Sequence, residues 1–114
     1  DPFGPGRNVH KGVDFAAKVG TQVRSIAGGT IVRAQSMGSY GNIVIIDHGN
    51  GLSSRYAHLN RIAVRSGNRV KAGAVIATSG KTGRVTGPHL HLEVYRNKQA
   101  IDPLRLTGWV TTGR

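Results

Sequence analysis

The sequence contains no cysteine, which excludes both a disulfide scaffold and a thiol nucleophile. Oxidising and reducing locations both tolerate such a chain, so the redox compartment stays open. Acidic residues are scarce: 5 Asp+Glu stand against 16 Lys+Arg, a formal charge of +11. An excess of that size points to a polyanionic partner, with nucleic acid, anionic lipid and cell-wall polymer all qualifying. Aromatic residues make up only 5%, and Phe3, Phe15, Tyr40, Tyr56, Tyr95 and Trp109 do not interleave with Lys and Arg as a base-stacking platform requires. The basic residues scatter from Arg7 to Arg114 with no recognition-helix cluster, so no specific nucleic-acid partner is expected. No apolar run approaches the ~20 residues of a membrane span, and no transmembrane segment is expected. The start, Asp1-Pro2-Phe3, carries neither an initiator Met nor a charged-then-apolar signal segment, so the chain reads as a piece processed from a longer protein.

What is present is a globular composition. Hydrophobic residues reach 38% of 114 residues, too few residues for two ordinary domains, so residues 1–114 are read as one. A domain of this size buries about two-thirds of its extended-chain surface and needs no metal merely to fold. A bound metal would therefore serve function. Seventeen glycines punctuate short Val- and Ile-rich segments, the all-β pattern of short strands and tight turns with little or no helix. Strands are predicted near Gln22–Ile26, Thr30–Ala34, Asn42–Asp47, Ser53–His58, Arg69–Lys71, Val75–Thr78 and His89–Arg96. From Leu52 to Ser66 the period is ambiguous: Leu52, Tyr56, Leu59 and Ile62 fall at helical spacing as comfortably as Ser54, Tyr56 and His58 fall at strand spacing. Gly20-x-x-Val23 and Gly67-x-x-Val70 echo one another and suggest two similar hairpins.

Chemistry concentrates on the histidines. In Gly87-Pro88-His89-Leu90-His91-Leu92-Glu93-Val94-Tyr95, strand alternation puts His89, His91, Glu93 and Tyr95 on one face and Leu90, Leu92 and Val94 on the other. Taken alone, an i, i+2 histidine pair fits a solvated strand face more readily than a metal site. An extended His10-Lys11-Gly12-Val13-Asp14-Phe15 would place His10, Gly12 and Asp14 together with Val13 and Phe15 buried behind. Neutral imidazole and carboxylate both suit zinc, yet His-x-x-x-Asp in isolation equally describes two exposed polar side chains. Three ligands and an open position make a hydrolytic zinc site; His10, Asp14 and one of His89 and His91 would supply them, leaving the site at +1, with the other histidine of the pair placed as general base. Glu93 would orient a ligand imidazole or be a plain surface carboxylate; both readings stand, and it is left outside the active set. His58 gains interest only from this company. His48, in Asp47-His48-Gly49-Asn50-Gly51, is assigned to a hairpin turn.

From about Arg7 to Arg105 the chain resembles the lysostaphin/LytM-type zinc endopeptidases that cut peptide stems or bridges of bacterial peptidoglycan. The resemblance rests on His10-x-Gly12-x-Asp14, Ala16-Ala17-x-x-Gly20-Thr21-x-Val23, Gly29-x-Ile31-Val32, Tyr40-Gly41-Asn42-x-Val44, Tyr56-Ala57-His58-Leu59, Val70-x-x-Gly73, Gly80-x-Thr82-Gly83 and Gly87-Pro88-His89-Leu90-His91-Leu92-Glu93. It implies a mostly antiparallel β-sheet domain with a zinc-binding groove, one Zn²⁺ held by His10, Asp14 and His91, and His58 and His89 as the catalytic pair. It also implies peptidoglycan peptide as substrate, action outside the cytoplasm (periplasm, cell envelope or secreted), and further domains in a longer parent chain. The basic excess is then expected to hold the domain on anionic wall polymer. Some members carry a tyrosine just before the first ligand, where this chain has Phe3, Gly4, Pro5, Gly6, Arg7 and Asn8. The long loop insertions of some glycyl-glycine cutters find no room here, which favours stem-peptide cross-links. Two competing readings are a catalytically inactive LytM-like activator of other wall hydrolases and, from Gly67-x-x-Val70-Lys71-Ala72-Gly73-x-x-Ile76, a lipoyl- or biotinyl-like carrier modified at Lys71.

Overall fold

The structure, a computed structural model, describes residues 12–85 and 87–105. Among these residues nine strands form one antiparallel system: β1 Val13–Ala16, β2 Gln22–Arg24, β3 Gly29–Ser36, β4 Asn42–Gly49, β5 Leu52–Ile62, β6 Arg69–Val70, β7 Val75–Ser79, β8 His89–Arg96 and β9 Gln99–Ile101. Short 3-10 turns at Gly38–Tyr40 and Pro103–Arg105 are the only helical elements described. The main path runs β1-β8-β5-β4-β3-β6, with β7 joining β2 to β5 and β9 flanking β8. The mostly antiparallel all-β expectation holds, and β1 and β9 add two strands too short to stand out by periodicity. The Gly20 and Gly67 echo does not mark hairpins, because β2 pairs with β7 and β6 with β3.

Alternation explains the two-sided burial of β4. Val44 and Ile46 face the principal core with Ile31, Tyr56, Ile76 and Leu92, while Ile43 and Ile45 face the other way and pack with Ala57, Met37 and Tyr40. Each fully buried aliphatic side chain contributes about 1.5–3 kcal/mol. The second, smaller cluster lies on the sheet face that carries the histidines. The β4–β5 hairpin closes on Asn50 (φ 52°) and Gly51 (φ 80°), the positive dihedrals that a tight hairpin turn requires. His48 is the last residue but one of β4; its Nδ1 donates to the Gly28 carbonyl at 2.8 Å and its Nε2 lies 2.7 Å from Ser54 Oγ. That is a structural role, away from the cleft.

Tyr56 is 1% exposed, and its phenol oxygen accepts the Ile26 N–H at 3.0 Å and lies 2.7 Å from Ser54 Oγ. Tyr56→Phe keeps the ring but takes the acceptor from the Ile26 N–H, while Ser54 Oγ keeps His48. It should cost about 1–3 kcal/mol in urea unfolding without changing metal content.

Candidate active site

The β1–β8 register sets Asp14 directly opposite His91. Their side chains meet at 2.6 Å, Asp14 Oδ1 to His91 Nδ1, and His89 Nε2 lies 3.5 Å from the same oxygen. Gly12 allows this approach: at φ +99° it sits where a Cβ would come within 2.3 Å of the Leu92 carbonyl oxygen and 2.7 Å of Glu93 Cγ. The central glycine of His10-x-Gly12-x-Asp14 is thus a packing requirement of the site wall. His10 itself lies outside the described residues.

His89 donates from Nδ1 to the Gly87 carbonyl at 3.0 Å, which turns Nε2 toward Asp14. His58 reaches the same place by a different device. Strand β5 pairs with β8 as far as Ala57 and with β7 from Leu59, and between Val44↔Tyr56 and Asn42↔Leu59 it carries one residue more than β4. This is a β-bulge, and His58 occupies it with φ 62°, a left-handed conformation uncommon outside glycine. Strict alternation would bury His58 on the Tyr56 face. The bulge instead brings it to the His91 face and returns Leu59 to the core.

Nδ1 of His58 donates to the Thr82 carbonyl at 2.8 Å, which leaves the Nε2 lone pair as the acceptor. The imidazole centroid is 5.2 Å from that of His89 and 5.9 Å from that of His91. Burial holds the His58 pKa below the usual imidazole value, outweighing the Thr82 hydrogen bond, so the ring is neutral at neutral pH.

The Thr82–Gly83 segment that orients His58 is itself clamped. Thr82 Oγ1 accepts the Asn42 N–H at 3.0 Å and donates to the Leu59 carbonyl at 2.7 Å, while Gly83 and Gly41 meet backbone to backbone. A Cβ on Gly41 would fall 2.4 Å from the Thr82 carbonyl carbon, at a φ of +67°. The Tyr40-Gly41-Asn42 and Gly80-x-Thr82-Gly83 segments are therefore two halves of one contact. Gly41→Ala should push the Thr82 carbonyl away from His58, lowering kcat and thermal stability together while zinc content is kept; unchanged kinetics would show that Thr82 does not orient His58.

Sequence reasoning left Glu93 outside the active set and passed over Tyr40, Tyr95, Arg55, Ser39 and Arg84. Glu93 is 2% exposed and accepts from His91 Nε2 at 2.9 Å, Tyr40 at 3.0 and 3.2 Å, and Tyr95 at 2.8 Å, with Arg55 Nη1 at 4.0 Å. The signal that would have found it was the shared strand face of His91, Glu93 and Tyr95. Burial opposes ionisation of Glu93, but hydrogen bonds from His91 and Tyr95 and the His91 charge hold its pKa below the usual value. Burial likewise opposes a charged His91, but its hydrogen bonds to Glu93 and Asp14 raise its pKa overall. Tyr95 is pushed up to about 12 by burial and by Glu93. Asp14, His58, His91 and Glu93 line a cleft of about 460 Å³ together with Tyr40, Tyr95, Ser39 and Arg84.

Three of the five residues singled out from the sequence, Asp14, His58 and His91, thus line one cleft, and His89 packs beside them. The model of Peptidase family M23 matches residues 8–103. The chain belongs to peptidase family M23, in keeping with its lysostaphin/LytM-type motifs. This M23 domain is 47% identical over 84% of its length to the DD-carboxypeptidase/endopeptidase Mpg of Neisseria meningitidis serogroup B, and 42% identical over 84% to the peptidoglycan DD-endopeptidase ShyA of Vibrio cholerae. Both alignments take in 22% of the relative, so the chain spans about a fifth of the curated relatives it matches. Among solved structures, a zinc containing peptidase from Vibrio cholerae superposes with a TM-score of 0.82 at 39% identity, over 85% of this chain and 30% of that one. The stretch around Lys71 falls within the M23 match, which accounts for it without a carrier role.

The donor set of this M23 domain is of the kind that zinc takes, imidazole nitrogen and carboxylate oxygen. Asp14 Oδ1 and His91 Nδ1 converge, and the far nitrogen of His91 is held by a carboxylate, an arrangement suited to a zinc-binding imidazole. Among the described residues no group of three His, Cys, Asp or Glu is arranged to hold an ion. Two donors are in place, and the third expected ligand is His10.

Proposed function

We propose that this domain is a zinc-dependent endopeptidase that hydrolyses peptide cross-links or stems of bacterial peptidoglycan. The observation that carries the reading is the convergence of Asp14, His91, His89 and His58, from three different strands, on one another, with Asp14, His58 and His91 lining the cleft. His10, Asp14 and His91 would hold one Zn²⁺. Bound there, the ion supplies Lewis acidity, bringing the pKa of a water to about 7 and polarising the scissile carbonyl. His58 and His89 perform the acid–base work. Hydrolysis forms a C–O bond to the amide carbon and breaks the C–N bond; the water proton passes to imidazole Nε2 and then to the leaving amine. The Thr82 contact keeps His58 in the accepting tautomer, and its lowered pKa keeps it unprotonated before the step.

Relatives named for DD-endopeptidase activity support a bond between D-configured residues, as in stem cross-links. Such a substrate places the domain outside the cytoplasm, and no helix among the described residues is long and apolar enough to cross a membrane. The +11 charge would hold it on anionic wall polymer, so sacculus binding should weaken with salt. The small share of each relative that is matched supports a longer parent chain with further domains.

The test is turbidity loss of purified sacculi together with zinc content and mass spectrometry of released muropeptides. Stoichiometric zinc and new peptide termini support the reading. A metal-free domain that leaves sacculi intact overturns it in favour of a non-catalytic wall-binding role.

A further inference from the structure

The cleft holds a second carboxylate that the hydrolytic mechanism does not use. Glu93 is sealed from solvent at 2% exposure, where an ionised carboxylate survives only if its oxygens are fully engaged. They are engaged by groups of two kinds. Tyr40 donates across both oxygens, Tyr95 donates to Oε1 at 2.8 Å, and Arg55, whose guanidinium carbon lies 4.8 Å over the Tyr95 ring, backs Oε1 at 4.0 Å. These three fix the carboxylate. The remaining partner is His91, whose Nε2 is 2.9 Å from Oε2 while its Nδ1 faces Asp14 at 2.6 Å.

We propose that Glu93, clamped by Tyr40 and Tyr95, is a positioning residue that takes the Nε2–H of His91 and so commits Nδ1 to the Asp14 side as the metal-binding nitrogen. The proposal rests on the zinc reading above. An imidazole carries one proton when it ligates a metal, and the acceptor at one nitrogen decides which nitrogen that is. A carboxylate there also makes the ring a better donor and stops its rotation, and loss of such a partner generally costs 10–100-fold in metal affinity. A purely architectural Glu93 predicts something different: loss of stability with metal affinity intact in whatever remains folded. The Gly12 contact fits the positioning role, since the ligand-bearing segment lies directly against Glu93 Cγ.

The experiment measures zinc affinity by competition with a chromophoric chelator, on protein confirmed folded by circular dichroism, for the parent, Glu93→Gln, Glu93→Asp and Asp14→Ala. Glu93→Gln keeps the volume and one acceptor; about 10–100-fold weaker zinc binding is expected, with Glu93→Asp recovering part of it. Equal affinity in the parent and Glu93→Gln overturns the proposal while leaving the zinc reading intact, provided Asp14→Ala weakens binding by about 10²–10³. A parent that binds no zinc overturns the zinc reading first. Should the variants fail to fold, nitrogen-15 shifts of His91 in the zinc-loaded parent decide: protonated Nε2 with metal-bound Nδ1 supports the proposal, and the reverse assignment overturns it.

Discussion

Asp14→Ala should lose zinc and lytic activity together. In the site as assigned, one carboxylate and two imidazoles leave the bound ion at +1; removing the carboxylate raises that to +2 and takes away a donor within 2.6 Å of His91 Nδ1. Structural zinc sites bind with about 10–16 kcal/mol, so one ligand of four is worth roughly 3–4 kcal/mol, a fall of about 10²–10³ in affinity. After dialysis, atomic absorption should find little metal, and sacculi should keep their turbidity. His91→Ala and His10→Ala should behave alike. The fold is not at risk from the first of these, because the Asp14 side chain is 28% exposed at the rim and β1 remains anchored by Val13 in the core. A variant that keeps full zinc would remove Asp14 from the ligand set.

Much of this arrangement was legible in the sequence because strand alternation is a strict rule. The period of two in His89-Leu90-His91-Leu92-Glu93-Val94 places both histidines and Glu93 on one face, and from that face of β8 His91 and Glu93 line the cleft. The ambiguity between Leu52 and Ser66 had a physical source. Tyr56 and Leu59 are three residues apart on one core face, which mimics a helix, because the bulge at His58 inserts an extra residue into a strand. No periodicity template contains that insertion, so only the Tyr56-Ala57-His58-Leu59 resemblance pointed to a strand there.

Other features were hidden because they depend on contacts remote in sequence. The orientation of His58 depends on Thr82, and the position of Thr82 on Gly41, a chain of contacts between residues far apart in sequence that no local pattern records. Glu93 looked like either a surface carboxylate or a ligand's partner because strand alternation alone cannot tell a covered face from a wet one. Tyr40 and Tyr95, closing over it, decide the matter. The missing tyrosine before the first ligand is not replaced in sequence, yet the cleft wall does contain two phenols, both tied to Glu93.

His89→Ala and His58→Ala should separate chemistry from metal binding. Each should cut kcat by about 10²–10⁴, the usual contribution of a positioned general acid or base, while zinc content stays at the parent level. The two effects should be less than additive if the imidazoles, 5.2 Å apart, share one proton pathway. The pH profile carries the sign of the His58 environment. Because burial lowers its pKa, the neutral, accepting form persists below the ordinary imidazole value of about 6.5, so the acid limb of kcat/KM in the parent should fall below that pH. In His58→Ala that limb should move or vanish. Near-normal turnover in His89→Ala, or an acid limb above 6.5 that His58→Ala leaves in place, would assign proton transfer to a group other than this pair.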